Sequence, residues 1–108
     1  MTPERDARLA HLRGGLAEAL ADPRRRQLAH IAVLDIAMAV REALAARGVA
    51  ESDIARATEE ISAFLIGERE GLPEDLADRE AVLEVFTMIL EAITRQPSFA
   101  RVFAPQSG

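Results

Sequence analysis

Apolar positions along the chain recur at intervals of three and four residues, the spacing that places side chains on one face of an α-helix. The first run of this kind is a stripe of four leucines, Leu9, Leu12, Leu16 and Leu20. Thr2 and Pro3 precede it and suit the N-cap and the first position of a helix. The pattern predicts a first helix over 3–21, which two adjacent glycines, Gly14 and Gly15, weaken or bend in its middle.

The second and third helices are defined by the residues at their ends. Asp22 suits an N-cap, Pro23 suits the first helical position, and Gly48 suits a left-handed C-terminal cap. Together these residues predict a second helix over 23–47. Renewed helical spacing then predicts a third helix over 52–67, whose apolar face consists of Ile54, Ala57, Ile61, Phe64 and Leu65.

The last third of the chain carries a broad apolar arc. Asp78 suits an N-cap and Pro97 cannot continue a helix, so the pattern predicts a fourth helix over 79–96. Phe99 and Phe103 lie four residues apart and predict one further helical turn that docks on the bundle. No segment of the chain alternates apolar and polar residues in the manner of a β-strand.

These elements predict an all-α fold, a four-helix bundle with a short C-terminal helical turn, in a single helical domain over 1–108. The length of 108 residues is that of one domain, and 49% hydrophobic with 29% charged residues is typical of a folded globular chain. No apolar run approaches the ~18 to 20 residues that span a bilayer, and the N-terminal MTPERDAR lacks the apolar segment of a signal peptide. We therefore expect a cytoplasmic protein with no membrane association.

Residues that usually carry chemistry are scarce. The chain has no cysteine, and neither His11 nor His30 has a His, Asp or Glu at the helical spacing that completes a two-ligand metal site. It contains no G-x-S-x-G motif and no glycine-rich phosphate loop. We expect no catalytic residue, no cofactor and no bound metal. The alternative is a small helical enzyme with a site in the bundle core, where Arg41 lies on the same side of the second helix as His30.

One basic cluster occurs at the predicted start of the second helix. Arg24, Arg25 and Arg26 are consecutive there, and the free N–H groups of a helix N-terminus attract anions. The cluster is therefore a candidate anion contact. The alternative interpretation is a solvated run of charge, balanced by the acidic stretch from Glu68 to Glu80.

The segment GVAESDIAR, residues 48–56, resembles the turn and recognition-helix start of a helix-turn-helix, in which G-V-S-x-x-T-V-S-R is common. The resemblance implies a DNA-binding regulator with its motif over 41–66. Residues 51–60 nevertheless carry four acidic residues, Glu51, Asp53, Glu59 and Glu60, against the single Arg56, and the whole chain has a net charge of −5. Because phosphate contacts supply most of non-specific DNA affinity, we expect no nucleic-acid partner and interpret Gly48 as an ordinary helix cap.

The second helix carries two apolar stripes. At 100° per residue, one stripe consists of Val33, Ile36, Val40 and Leu44. The other lies on nearly the opposite face and consists of Ile31, Leu34 and Met38. A helix with two such stripes must be covered on both sides, either as the central helix of a monomer or by a partner that meets the second stripe.

The sequence as a whole favours a non-enzymatic interaction or regulatory protein that acts as a homodimer. Ile31, Leu34 and Met38 form the candidate partner interface, because the simplest partner for an exposed stripe is the same stripe of a second copy. Another protein is the alternative partner.

Duplex DNA should bind no more than weakly, because the acidic third helix and the negative net charge repel phosphate. A gel-shift titration in about 50 mM salt, where electrostatic binding is strong, should give no discrete complex. A tight, discrete complex that Arg56→Glu abolishes would establish the helix-turn-helix interpretation instead.

Overall fold

Helices make up most of residues 3–103, which are the residues that the computed structural model describes. The long helices are α1 (Pro3–Ala21), α2 (Arg26–Ala46), α3 (Glu51–Leu65) and α4 (Arg79–Thr94). A 3₁₀ turn (Pro97–Phe99) and one helical turn, α5 (Ala100–Phe103), follow and together form the C-terminal turn. No strand occurs in the described range. The predicted all-α four-helix bundle with a short C-terminal turn is confirmed, while Thr2, predicted as the first N-cap, lies outside the described residues.

The ends of the helices lie close to the predicted positions, with one clear difference. Gly48 has φ 83° and occupies the left-handed conformation predicted for it after α2. At its other end, however, α2 begins at Arg26 rather than at residue 23. The Oδ1 atom of Asp22 accepts the main-chain N–H of Arg24 at 3.0 Å, and residues 23–25 form a turn whose last residue, Arg25, has φ −114°. Asp22 therefore initiates a turn that leads into the helix.

The core is organised around one face of α2. Helix α2 lies against α1, α3, α4 and the C-terminal turn. Its first stripe is buried together with two alanines, and the buried residues of α2 are Ala29, Ala32, Val33, Ile36, Val40 and Leu44. Across the same core, Phe64 of α3 and Phe86 of α4 pack edge to face with their ring centroids 6.0 Å apart. The chain therefore has one continuous apolar core in which α2 supplies a single face.

Gly15 explains how α1 is covered. A Cβ atom at Gly15 would lie 2.8 Å from the carbonyl oxygen of Phe103, so the main chain of the C-terminal turn approaches α1 at a residue that lacks a side chain. Phe99, Val102 and Phe103 of that turn are all buried. Helix α1 is continuous through both of its glycines, and the C-terminal turn completes the narrow apolar surface that its leucines provide.

The two glycines of α1 should respond in opposite directions to the same substitution. Gly14→Ala should raise the free energy of unfolding by about 0.5 to 1 kcal/mol, because a Cβ there meets no atom within 4 Å and alanine favours the helix. Gly15→Ala should lower it by about 1 kcal/mol, because the overpacking at Phe103 outweighs the same gain in helix propensity. Urea unfolding of both variants measures the difference. A Gly15→Ala protein as stable as Gly14→Ala would show that the C-terminal turn does not pack on α1.

Candidate interaction surface on helix α2

The second stripe of α2 is exposed along its length. Ile31 is 42% exposed, and Leu34 and Met38 are each 62% exposed. Only two other large apolar side chains in residues 3–103 are exposed, Ile66 and Met88, and they lie on other elements. The described chain therefore covers one stripe of α2 and leaves the other, which we call the α2 patch (Ile31, Leu34 and Met38), in contact with solvent.

Basic residues border the α2 patch on one side, and acidic residues border it on the other. At 100° per residue, His30 and Arg41 lie along one edge of the stripe, and Asp35 and Glu42 lie along the other. All four side chains are exposed. Arg41 also lies 3.6 Å from Glu51 in an ion pair whose two members are both exposed, which is a weak contact in water. The surface is thus an apolar strip with one basic edge and one acidic edge.

Two of the three consecutive arginines, the candidate anion contact, are engaged in contacts within the protein. Arg25 is buried, and its Nε donates to Oδ2 of Asp22 at 2.8 Å. The Nε of Arg26 donates to the carbonyl oxygen of Leu20 at 3.3 Å, near the end of α1, while Arg24 is exposed. Two of the three guanidinium groups therefore hold the connection between α1 and α2 together.

Asp22 is the charge partner within this connection. The hydrogen bond from the Arg25 guanidinium, with a second from the main-chain N–H of Arg24, lowers the pKa of the Asp22 carboxyl group below its usual value. The acidic stretch from Glu68 to Glu80 is the expected partner of Arg24, Arg25 and Arg26. Its Asp75 instead pairs with Arg56, with 3.0 Å between Oδ1 of Asp75 and Nη2 of Arg56.

That ion pair also bears on the segment 41–66. Arg56, the basic residue within α3, directs its guanidinium group to Asp75, while Glu51 and Glu59 on the same helix are exposed. This arrangement supports the expectation that α3 does not bind DNA, which stays a prediction. The enzyme alternative relied on Arg41 and His30 in the bundle core, but both side chains are exposed on the outer side of α2.

The described part of the chain also contains neither a cluster of potential metal ligands nor a membrane-spanning helix. No group of three or more His, Cys, Asp or Glu side chains is placed there to hold a metal ion. None of its helices combines the length and the apolar character needed to cross a bilayer. The expected lack of metal, cofactor and catalytic residue stays a prediction.

One feature of the structure has no counterpart in the sequence patterns. A cavity of about 310 Å³ lies among α1, α3, α4 and the connection between α3 and α4, and both Arg13 and Arg79 line it. These arginines are far apart in sequence and belong to no motif. Arg13 lies four residues after Leu9 and Arg79 lies four residues before Leu83, so each shares a helix face with an apolar residue. This spacing could have indicated an inward orientation, but not that the two arginines share a cavity.

No family model matches the sequence, and neither the curated proteins nor the solved structures include a significant match.

Proposed function

We propose that this chain is a cytoplasmic, non-enzymatic interaction or regulatory protein that acts as a homodimer through the α2 patch. The observation that carries the proposal is the exposure of Ile31, Leu34 and Met38 on the helix whose opposite face anchors the core. Exposed apolar surface is unfavourable in water by roughly 25 cal/mol per Å², and an apolar strip rimmed by charge is typical of a protein interface.

The charged edges favour a second copy of this chain as the partner. When two copies of one helix pack side by side and parallel about a two-fold axis, each basic edge meets the acidic edge of the other copy. His30 then faces Asp35 of the second copy, and Arg41 lies near its Glu42. In an antiparallel pair, like edges meet and the charges repel each other. One surface thus supplies both halves of a complementary interface, provided that the two α2 helices run parallel.

The dimer is expected to be reversible, because the monomer already has a complete core. The first stripe of α2 is buried within one chain, so folding does not require the partner. A single helix face also offers less area than the ~800 Å² per partner of a standard stable interface. We therefore expect a dissociation constant in the micromolar range, with salt weakening the contacts between the exposed edges.

Light scattering at a few hundred micromolar should report twice the 11.7 kDa chain mass, and the mass should fall on dilution. Leu34→Glu should give a monomer at every concentration, because dimerisation would bury its charge without a partner. Its helix content and melting temperature should stay close to those of wild type, since Leu34 is 62% exposed in the monomer. Met88→Glu is the matched control, because it adds the same charge at an exposed apolar residue of α4 and should leave the dimer intact. A wild-type chain that remains monomeric at these concentrations would exclude the dimer.

The orientation of the two α2 helices can be measured with single cysteines, because the chain contains none of its own. In the parallel dimer, Ile31→Cys should cross-link with itself, and Met38→Cys should do the same. In an antiparallel dimer centred near Leu34, the two copies of residue 31 would lie about 10 Å apart along the helix axis, too far for a disulfide. Oxidation of a mixture of the two variants that yields only the mixed 31–38 cross-link would show that the helices run antiparallel.

A further inference from the structure

The cavity among α1, α3, α4 and the connection 66–78 has the form of a small-molecule site. Its volume of about 310 Å³ lies at the lower end of the range for ligand pockets, roughly 300 to 1,000 Å³. Its apolar lining comes from three of the long helices and the connection, and consists of Leu9, Ala10, Phe64, Leu72, Leu83 and Phe86. Gly71 and four charged residues complete the lining, the charged residues being Arg13, Arg79, Glu70 and Glu80.

Arg13 is fixed in place by main-chain groups and by an aromatic ring. Its Nε donates to the carbonyl oxygen of Phe64 at 2.9 Å, and its Nη2 donates to that of Arg69 at 2.8 Å. Its Cζ lies 4.8 Å from the centroid of the Phe64 ring, within the range of a cation–π contact. The half-buried guanidinium group is therefore rigidly placed before any ligand arrives.

Arg79 is held in the same manner from the other side of the connection. Its Nε donates to the carbonyl oxygen of Pro73 at 3.1 Å, and its Nη2 donates to that of Leu72 at 3.4 Å. Arg79 is half-buried, as Arg13 is. A guanidinium group has five N–H donors, so both arginines retain donors beyond these bonds.

Neither of these two arginines forms an ion pair within 4.0 Å with a carboxylate of the described residues. Seven other arginines lie within 4.0 Å of a described carboxylate oxygen, whereas the bonds of Arg13 and Arg79 go to neutral carbonyl groups. The cavity is thus lined by two half-buried guanidinium groups, whose hydrogen bonds go to neutral carbonyl groups, and by the two exposed residues Glu70 and Glu80. A guanidinium group in such surroundings attracts an anion strongly.

We propose that this cavity binds a small apolar molecule that carries a single carboxylate. The apolar body packs against the leucine and phenylalanine side chains, and the carboxylate accepts hydrogen bonds from Arg13 and Arg79. Glu70 and Glu80 are both exposed residues of the lining, and their negative charges disfavour anions with more than one charge. The site is separate from the α2 patch, because no lining residue belongs to α2.

Calorimetric titration with three eight-carbon probes tests the predicted ligand class. Octanoate should bind with a submillimolar dissociation constant, at least tenfold tighter than 1-octanol, and octylammonium should not bind. Arg79→Gln should weaken octanoate about tenfold and leave octanol unchanged, which shows that the apolar cavity persists in the variant. Arg95→Gln removes the same charge at an exposed position outside the cavity and should bind octanoate as wild type does.

Two further measurements separate this site from the proposed dimer interface. Leu34→Glu should bind octanoate with wild-type affinity, and octanoate should shift the amide NMR signals of Phe64, Leu72 and Leu83 rather than those of residues 31–38. Equal affinity for octanoate and octanol, an unchanged octanoate affinity in Arg79→Gln, or shifts confined to α2 would each overturn the carboxylate site. None of these results bears on whether the chain dimerises.

Discussion

Burial of one face of α2 is the contact on which the rest of the fold depends. Every other long helix packs against α2, and its fully buried Ile36, Val40 and Leu44 contribute to the single core cluster. Because α1, α3, α4 and the C-terminal turn all gather on that face, the described chain has no further helix to place on the opposite one. The exposed α2 patch is therefore a direct consequence of how the core is assembled.

The sequence predicts the elements whose local signals have one meaning, and it fails where one local signal suits two structures or where a distant contact decides. Gly48 adopts the conformation predicted for it, because a helix cap depends on a few neighbouring residues. The predicted start of α2 is three residues too early, because Asp22 suits both a helix and a turn, and its side chain binds the N–H of Arg24 in a turn over 23–25. The packing role of Gly15 cannot be inferred from the sequence, because it depends on the close approach of the main chain of Phe103, 88 residues later. The cavity cannot be predicted from the sequence for the same reason, because its lining residues come from distant parts of the chain.

The arginines of this chain hold the structure together in two different ways. Some form exposed ion pairs between elements, such as Arg8 with Glu91 at 2.6 Å and Arg47 with Glu84 at 3.1 Å. Pairs of this kind contribute roughly 0 to 1 kcal/mol each, since water screens them. Arg13 and Arg79 instead donate to main-chain carbonyl groups of Arg69 and Pro73, within a connection that has no helix or strand of its own. They fix the wall of the cavity, which exposed ion pairs would not do.

The α2 patch and the cavity can exist side by side in the same small fold. The patch needs a helix whose outer face is free, and the cavity needs a connection that is held in place by specific hydrogen bonds. No residue belongs to both surfaces, so a dimer formed through α2 leaves the lining of each cavity as it is in the monomer. The two surfaces are nevertheless connected through the core. Phe64 and Phe86 line the cavity from α3 and α4, and these two helices pack directly on the buried face of α2.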